Sequence, residues 1–270
     1  MRSERIETAA WIFVALVPFA TAFVLAIGAS SAAGTFYLQP SLATLVANFS
    51  LVTGSDTQAS IGESLSTSLW LSLTCSTVTV TLAIGAGAAL SRIQGSTWVV
   101  TSAFVGSRVI PITAALPLFA MLVGVLGLPK GLLVVATLYV LLFLPLAAAL
   151  LSGARWEDAR RSIEFVALDG PILPAGRLLL FARFIAVDIA IAVVAVFLLC
   201  WSEFFLAAFL LQPGEVTIAH YFSSFETING YMWGPLGAAV VLSTIPAGVA
   251  IAVAVAVVRF RGGRSNETSS

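Results

Sequence analysis

The chain has 270 residues, of which 59% are hydrophobic and only 10% are charged, and its formal net charge at pH 7 is zero. Soluble domains carry roughly 45–50% apolar and about 25% charged residues, so this chain lacks the polar surface that a water-soluble fold needs. The composition excludes a cytosolic enzyme, a nucleic-acid-binding module and a disordered protein, and it predicts a polytopic membrane protein.

Six stretches are long and apolar enough to cross the hydrocarbon layer as helices, which takes about 20 residues each. They are Ala9–Gly28, Leu65–Leu90, Trp98–Leu128, Gly131–Ala154, a span within Phe184–Leu211, and Gly234–Val258. The first stretch indicates an uncleaved helix rather than a signal peptide, whose apolar core has about 7–15 residues. We therefore expect an all-α polytopic membrane protein with six transmembrane helices, forming a single domain over residues 1–270.

The basic residues predict the orientation, because cytoplasmic loops are enriched in Lys and Arg. With six spans, eleven arginines fall on one side, the opposite side carries only Lys130, and Arg108 lies inside the third span. Both termini are therefore expected in the cytoplasm, with a disordered tail over about 262–270. The two cysteines, Cys75 and Cys200, lie in apolar runs and indicate small buried hydrophobic residues rather than a metal site.

The cytoplasmic segment of about 155–183 is too long for a simple turn and is patterned like a helix. Glu157 and Asp158 suit the positive end of a helix dipole, and Gly170 suits its C-terminal cap. A second helix is expected to begin near Pro174. Apolar residues repeat at helical spacing at Ile163, Val166, Ala167 and Gly170. The pattern predicts a helix-turn-helix on the cytoplasmic face, suited to being held by another protein.

The run from Glu164 to Gly170 resembles the E-A-A-x-x-D-G loop of permease subunits of ABC-type importers. Four further patterns resemble those of carbohydrate permeases, and the chain is most similar to the maltose-permease G-type subunits. They are Ser107–Pro111 with Leu116–Phe119, Leu144-Pro145-Leu146, Trp201-Ser202-Glu203, and Tyr231–Gly234. The chain departs from the family at Phe165 and Val166, where the loop has two small alanines.

The resemblance implies the type I ABC importer permease fold in the bacterial cytoplasmic (inner) membrane. It implies a transport subunit, not an enzyme, that forms half of a translocation path for a sugar. Its partners would be a second homologous permease in a heterodimer, two ABC ATPase subunits and an extracytoplasmic solute-binding protein. The chain has no GxxxxGK phosphate loop, so we expect that it cannot hydrolyse ATP itself. The resemblance implies no cofactor in this chain, with ATP and magnesium bound by the partner ATPase.

The resemblance assigns ATPase coupling to five residues of the cytoplasmic segment: Glu164, Ala167, Leu168, Asp169 and Gly170. In physical terms Gly170 permits the turn, the Asp169 carboxylate can accept hydrogen bonds from nearby amides, and Glu164 can cap the helix or pair with a basic residue of the partner. The alternative is a surface helix with ordinary capping.

Four residues are candidates for a substrate path: Arg108, Pro111, Trp201 and Glu203. Arg108 would lie about 15 Å deep, where a charge should face a wet cavity or an acid. Its alternative is a salt bridge with Glu203. Trp201 and Glu203 would supply an aromatic face and a carboxylate, which are typical of a sugar site. Trp201 equally fits an interfacial belt, and Glu203 equally fits a structural hydrogen bond.

Other functions remain open at this point. The solute could be a polyol, a glycerophosphodiester or an amino acid instead of a sugar. A gradient-driven secondary transporter is a further alternative, although such carriers usually show charged or broken helices in repeated halves. The outer segment Thr217–Tyr231 indicates either a contact with an external binding protein or a packed lid.

Overall fold

The computed structural model describes residues 24–29, 41–54, 60–92, 102, 112–154, 156–168, 174–228 and 230–267, and gives the backbone alone at 112–115, 174–175, 177–183 and 259–267. Most of the described residues are helical. The helices are α1 (Leu42–Thr53), α2 (Ile61–Leu90), α3 (Ile112–Val125), α4 (Leu132–Ser152), α5 (Trp156–Ala167), α6 (Pro174–Ser202), α7 (Phe205–Leu210), α8 (Ile218–Tyr221) and α9 (Trp233–Glu267). A 3-10 turn (Phe222–Phe225) and an antiparallel hairpin of β1 (Glu226–Thr227) and β2 (Gly230–Tyr231) separate α8 from α9.

Four helices in the described part of the chain are long and apolar enough to cross a membrane. They are Ile61–Leu90, Leu132–Ser152, Phe184–Ser202 and Trp233–Val258. They correspond to the expected second, fourth, fifth and sixth spans, which confirms a helical membrane protein. The expected first span lies almost entirely outside the described residues. Of the third, the structure describes mainly α3, so six spans and cytoplasmic termini stay predictions.

The fifth span differs from its expected extent. We expected it within Phe184–Leu211, but α6 ends at Ser202 and the short helix α7 begins at Phe205. Glu203 and Phe204 separate the two helices, and the Glu203 carboxylate accepts a hydrogen bond from the Leu206 amide in the first turn of α7. A carboxylate that accepts a hydrogen bond from an amide in the first turn favours the start of a new helix at this point.

Helix α9 is also longer than its expected span. It continues from Val258 to Glu267, past residue 262, where we expected the disordered tail to begin. No proline follows Pro246 in this helix, and two successive glycines cost only about 1 kcal/mol each in a helix. The backbone can therefore continue its hydrogen-bonded ladder through Gly262 and Gly263.

The chain divides into two compact units. The first comprises residues 1–67 and 216–247 and the second comprises 68–215 and 248–270. In the first unit, α8 and the 3-10 turn bury Ile218, Tyr221 and Phe225. The rings of Tyr221 and Phe225 meet edge to face at 5.2 Å, an arrangement that aromatic quadrupoles favour.

The second unit contains the larger core, in which α6 packs against α4 and α5, and α7 against α3 and α4. Its largest buried side chains are Tyr139, Phe143, Leu151, Trp156, Ile185, Leu206 and Leu210. The α2 and α4 helices approach closely near Gly87, where an added Cβ would lie 2.7 Å from the Cβ of Leu151. Only glycine allows this approach, and both thiols, Cys75 and Cys200, lie buried in the same core.

Candidate functional site

Helix α5 is the strongest candidate site, because one of its ends is buried and the other is exposed. Trp156 and Ala159 are fully buried, and the Trp156 indole Nε1 donates a hydrogen bond of 2.5 Å to the carbonyl oxygen of Leu151. This bond ties the first turn of α5 to the end of α4. The predicted helix with Glu157 and Asp158 in its first turn is confirmed.

Charged side chains cover the solvent face of the first two turns. Glu157 forms ion pairs with Arg160 at 3.5 Å and Arg161 at 3.2 Å. The Arg160 guanidinium also donates to the Ser91 hydroxyl at 3.5 Å, just beyond α2. Exposed pairs of this kind contribute little to stability, so the buried Trp156 and Ala159 are the main anchor of α5.

The second half of α5 presents apolar side chains to solvent. Phe165 is 73% exposed and Leu168, just beyond the helix end, is 82% exposed. At 100° per residue, Phe165 lies opposite the buried face of Trp156 and Ala159. Glu164 and Ala167 are also exposed. We call Glu164, Phe165, Ala167 and Leu168 the exposed end of α5.

The remaining predicted coupling residues, Asp169 and Gly170, lie outside the described residues. The helix ends at Ala167, three residues before Gly170, and the next helix begins at Pro174 as predicted. Sequence reasoning missed Trp156, although a tryptophan directly before an acidic first turn is the signal that could have identified it.

A second group of polar side chains lies where α6 ends. The Tyr139 hydroxyl donates to Glu203 Oε2 at 2.7 Å, and the Leu206 amide lies 3.1 Å from both oxygens of the same carboxylate. Glu203 is buried, so these bonds compensate for the loss of water around the charge. Tyr139 was missed by the sequence analysis, although a tyrosine in the middle of an apolar span usually has a hydrogen-bonding partner.

Of the other three substrate-path candidates, the structure describes only Trp201. Trp201 is buried and stacks on Phe197, with ring centroids 5.7 Å apart and an interplanar angle of 23°. Arg108 and Pro111 lie outside the described residues. Trp201 and Glu203 therefore both lie at the C-terminal end of α6.

These two groups are connected through α4 and are not in contact. Tyr139 contacts Glu203 and Leu151 contacts Trp156, and the two α4 residues are about 18 Å apart at the rise of a helix. Pro145 lies between them within α4.

Helix α2 carries a further polar feature that the sequence analysis did not identify. Ser68, Ser72, Ser76 and Thr79 share one side of this apolar helix and are buried. Ser76 donates to the Leu73 carbonyl at 3.1 Å, the usual arrangement for a hydroxyl in a membrane helix. Among the residues that the structure describes, Ser72 Oγ and Thr79 Oγ1 have no hydrogen-bond partner. Small hydroxyl residues allow helices to approach closely.

Among the described residues, no three His, Cys, Asp or Glu side chains are grouped so that they could hold a metal ion. Asp188, in α6, has one buried carboxylate oxygen that finds no hydrogen-bond partner in the described part of the chain.

Comparisons with known proteins do not add an assignment to this geometry. No protein-family model matches the chain, and no curated protein matches it.

Proposed function

We propose that the chain is the transmembrane permease subunit of an ATP-driven ABC importer that forms half of the path for a sugar across the bacterial cytoplasmic membrane. The observation that carries this proposal is the form of α5. Buried Trp156 and Ala159 hold one end in the core, and Phe165 and Leu168 extend into solvent at the other. A helix held in this way can transmit a force applied at its exposed end.

The exposed end of α5 suits a protein groove with an apolar floor. Burying a leucine or phenylalanine side chain fully stabilises an interface by roughly 1.5–3 kcal/mol, so Phe165 and Leu168 together would supply a substantial part of a docking energy. Glu164 would pair with a basic residue on the rim. Because Phe165 replaces a small residue of the family loop, we propose a partner ATPase with a correspondingly wider groove.

The connection through α4 gives such a docking event a route into the membrane. Trp156 holds the end of α4 at Leu151, and Tyr139 of the same helix holds Glu203 at the break between α6 and α7. A shift of α5 would therefore move α4, and α4 would act on this break. Pro145 lies between the two contacts, and a proline inside a helix favours a bend.

The substrate class rests on the resemblance. Trp201 stacks on Phe197, and the Glu203 carboxylate accepts from Tyr139 and Leu206, so both are used inside the subunit in this conformation. We propose a sugar as the solute, carried in a path shared with a second, homologous permease and delivered by an extracytoplasmic binding protein. A polyol, a glycerophosphodiester and an amino acid are the competing solutes.

A gradient-driven carrier is the second candidate, favoured by the buried carboxylate of Glu203 between membrane helices, since such groups often belong to ion pathways. In this structure the carboxylate caps α7, which favours a structural role for it.

Uptake measurements distinguish the two. Cells with and without the chain would be given radiolabelled sugars and the three competing solutes, once with ATP depleted and the ion gradient maintained, and once with ATP present and the gradient collapsed. The proposal predicts chain-dependent sugar uptake that stops only when ATP is depleted. Uptake that survives ATP depletion would support the carrier, and ATP-dependent uptake of a competing solute alone would overturn the sugar assignment.

A further inference from the structure

The hairpin before α9 is a small apolar projection with a fixed base. At the base, Tyr221 and Phe225 are buried, and the Met232 amide donates to the Phe225 carbonyl at 2.9 Å. The strands pair Glu226 with Tyr231 and Thr227 with Gly230. The hairpin is therefore held in place at its root by backbone and ring contacts.

A side-chain hydrogen bond joins the two strands of the hairpin, and an isoleucine follows the first strand. The Thr227 hydroxyl donates to the Gly230 carbonyl at 2.6 Å, and Gly230 has a φ of +108°, which favours glycine. Ile228 is 105% exposed, and no side chain in the described part of the chain covers it. Tyr231, Met232 and Trp233 are partly exposed beside it, so the short projection carries one carboxylate and four apolar side chains.

The position of the hairpin along the chain places it at a membrane boundary. The helix that follows contains a segment of 26 residues, Trp233–Val258, that is long and apolar enough to cross a membrane, and it is about 39 Å long at 1.5 Å per residue. The hydrocarbon core is only about 30 Å thick, so the first turn of this segment reaches headgroup level. Two-residue strands span about 7 Å, so Ile228 cannot extend far from that level.

The aromatic residues favour the same placement. The rings of Tyr231 and Trp233 lie 5.5 Å apart at the start of the span, and tyrosine and tryptophan are enriched where membrane helices meet the headgroups. Apolar side chains in such a position partition into the boundary between headgroups and acyl chains.

We propose that the hairpin Glu226–Tyr231 is an interfacial anchor that inserts Ile228 into the lipid headgroup–acyl boundary and so fixes the level of α9 in the membrane. The occupant of this apolar surface is lipid, not a soluble protein. The inference requires only that α9 crosses the membrane and is independent of the transport function proposed above.

Spin-label accessibility tests the anchor in the full chain reconstituted in phosphatidylcholine vesicles. An Ile228→Cys variant would carry the nitroxide, and power saturation would compare collisions with oxygen, which enters lipid, and with a nickel chelate, which stays in water. Val249→Cys, exposed on the apolar face of α9, supplies the lipid reference, and Asp158→Cys, exposed on α5, the water reference. The unmodified chain is the control, and its spin-label signal gives the labelling of the two buried native thiols, Cys75 and Cys200.

The proposal predicts an oxygen-to-nickel accessibility ratio at position 228 between those of the two references and clearly above that of Asp158→Cys. A ratio equal to the water reference would overturn it, and so would a label shielded from both reagents, which indicates a protein contact. Native fluorescence gives a second test without a label. The fluorescence of Trp233 is the difference in emission between the unmodified chain and Trp233→Phe. Lipids brominated near the headgroup should quench this emission more than lipids brominated near the chain ends. The reverse order would contradict the anchor.

Discussion

The indole nitrogen of Trp156 donates a hydrogen bond of 2.5 Å to the backbone carbonyl of Leu151, so the first residue of α5 is bonded to the last turn of α4. Leu151 also contacts α2 at Gly87. Three helices of the second unit thus converge on one leucine, and the exposed end of α5 extends from this junction.

Replacing Trp156 tests the anchor. Trp156→Phe keeps a buried ring but removes the N–H. Because the Leu151 carbonyl still accepts from the Ala154 amide at 3.1 Å, the loss should be that of one neutral hydrogen bond, about 0.5–1.5 kcal/mol. Trp156→Ala also leaves a cavity and should cost about 3–5 kcal/mol. Thermal unfolding in detergent, followed by a thiol-reactive dye that reports exposure of the buried cysteines, should show a moderate and a large fall in Tm. Equal Tm values for Trp156→Phe and the unmodified chain would show that the bond does not anchor α5.

Substitutions at Gly87 test the close approach of α2 and α4, and Gly85 of the same helix supplies the control. A Cβ at position 87 would lie 2.7 Å from Leu151 Cβ, whereas nothing lies within 4 Å of one at position 85. Gly87→Ala should therefore destabilise by about 1–3 kcal/mol through overpacking. Gly85→Ala should be neutral or stabilise by up to about 1 kcal/mol through helix propensity. If both variants unfold at the same temperature, the two helices are not in contact at Gly87.

The Tyr139–Glu203 bond predicts energetic coupling between α4 and the break after α6. Tyr139→Phe removes the donor, and a hydrogen bond to a charged group contributes about 1.5–3 kcal/mol. Glu203→Gln keeps an acceptor for the Leu206 amide but lacks the charge. In a double-mutant cycle of thermal unfolding, the double variant should lose less stability than the sum of the losses of the two single variants. Strict additivity would mean that the two side chains do not interact.

The two hydroxyls without partners on α2 predict an unusual result. Because Ser72 Oγ and Thr79 Oγ1 are buried and lack partners among the described residues, Ser72→Ala and Thr79→Val should leave stability unchanged or raise it. Thr77 of the same helix is the control. Its hydroxyl donates a hydrogen bond to the Leu73 carbonyl at 2.7 Å, and the residue lies on the exposed side of the helix. A loss of more than about 1 kcal/mol in Ser72→Ala would reveal a bonded hydroxyl.

The helical fold and much of the candidate site could be predicted from the sequence. Long apolar runs can satisfy their backbone in lipid only as helices, and the described part of the chain contains four helices long and apolar enough to cross a membrane. The acidic first turn and Pro174 placed α5 and the start of α6 correctly. These features depend on neighbours along the chain, to which a sequence gives direct access.

The parts that the sequence did not predict depend on contacts between distant residues. The end of α6 at Ser202 follows from a carboxylate that caps the next helix and is held by a tyrosine from α4. An uninterrupted apolar run from Phe205 to Leu211 gave no sign of it. The anchoring by Trp156 depends likewise on a carbonyl in another helix. Hydrophobic periodicity identifies a helix but not the partner of a single polar atom in it.

The proposed coupling is tested most directly by purifying the chain from its native membrane in mild detergent and measuring the ATP hydrolysis that accompanies it. Leu168→Asp would be compared with Asp158→Ala, which changes an exposed residue at the anchored end of the same segment. The account predicts vanadate-sensitive hydrolysis with the unmodified chain and with Asp158→Ala, and at least a tenfold loss with Leu168→Asp, which corresponds to about 1.4 kcal/mol of docking energy. Hydrolysis that is absent from the unmodified chain, or that is equal in all three samples, would contradict a coupling role for the exposed end of α5.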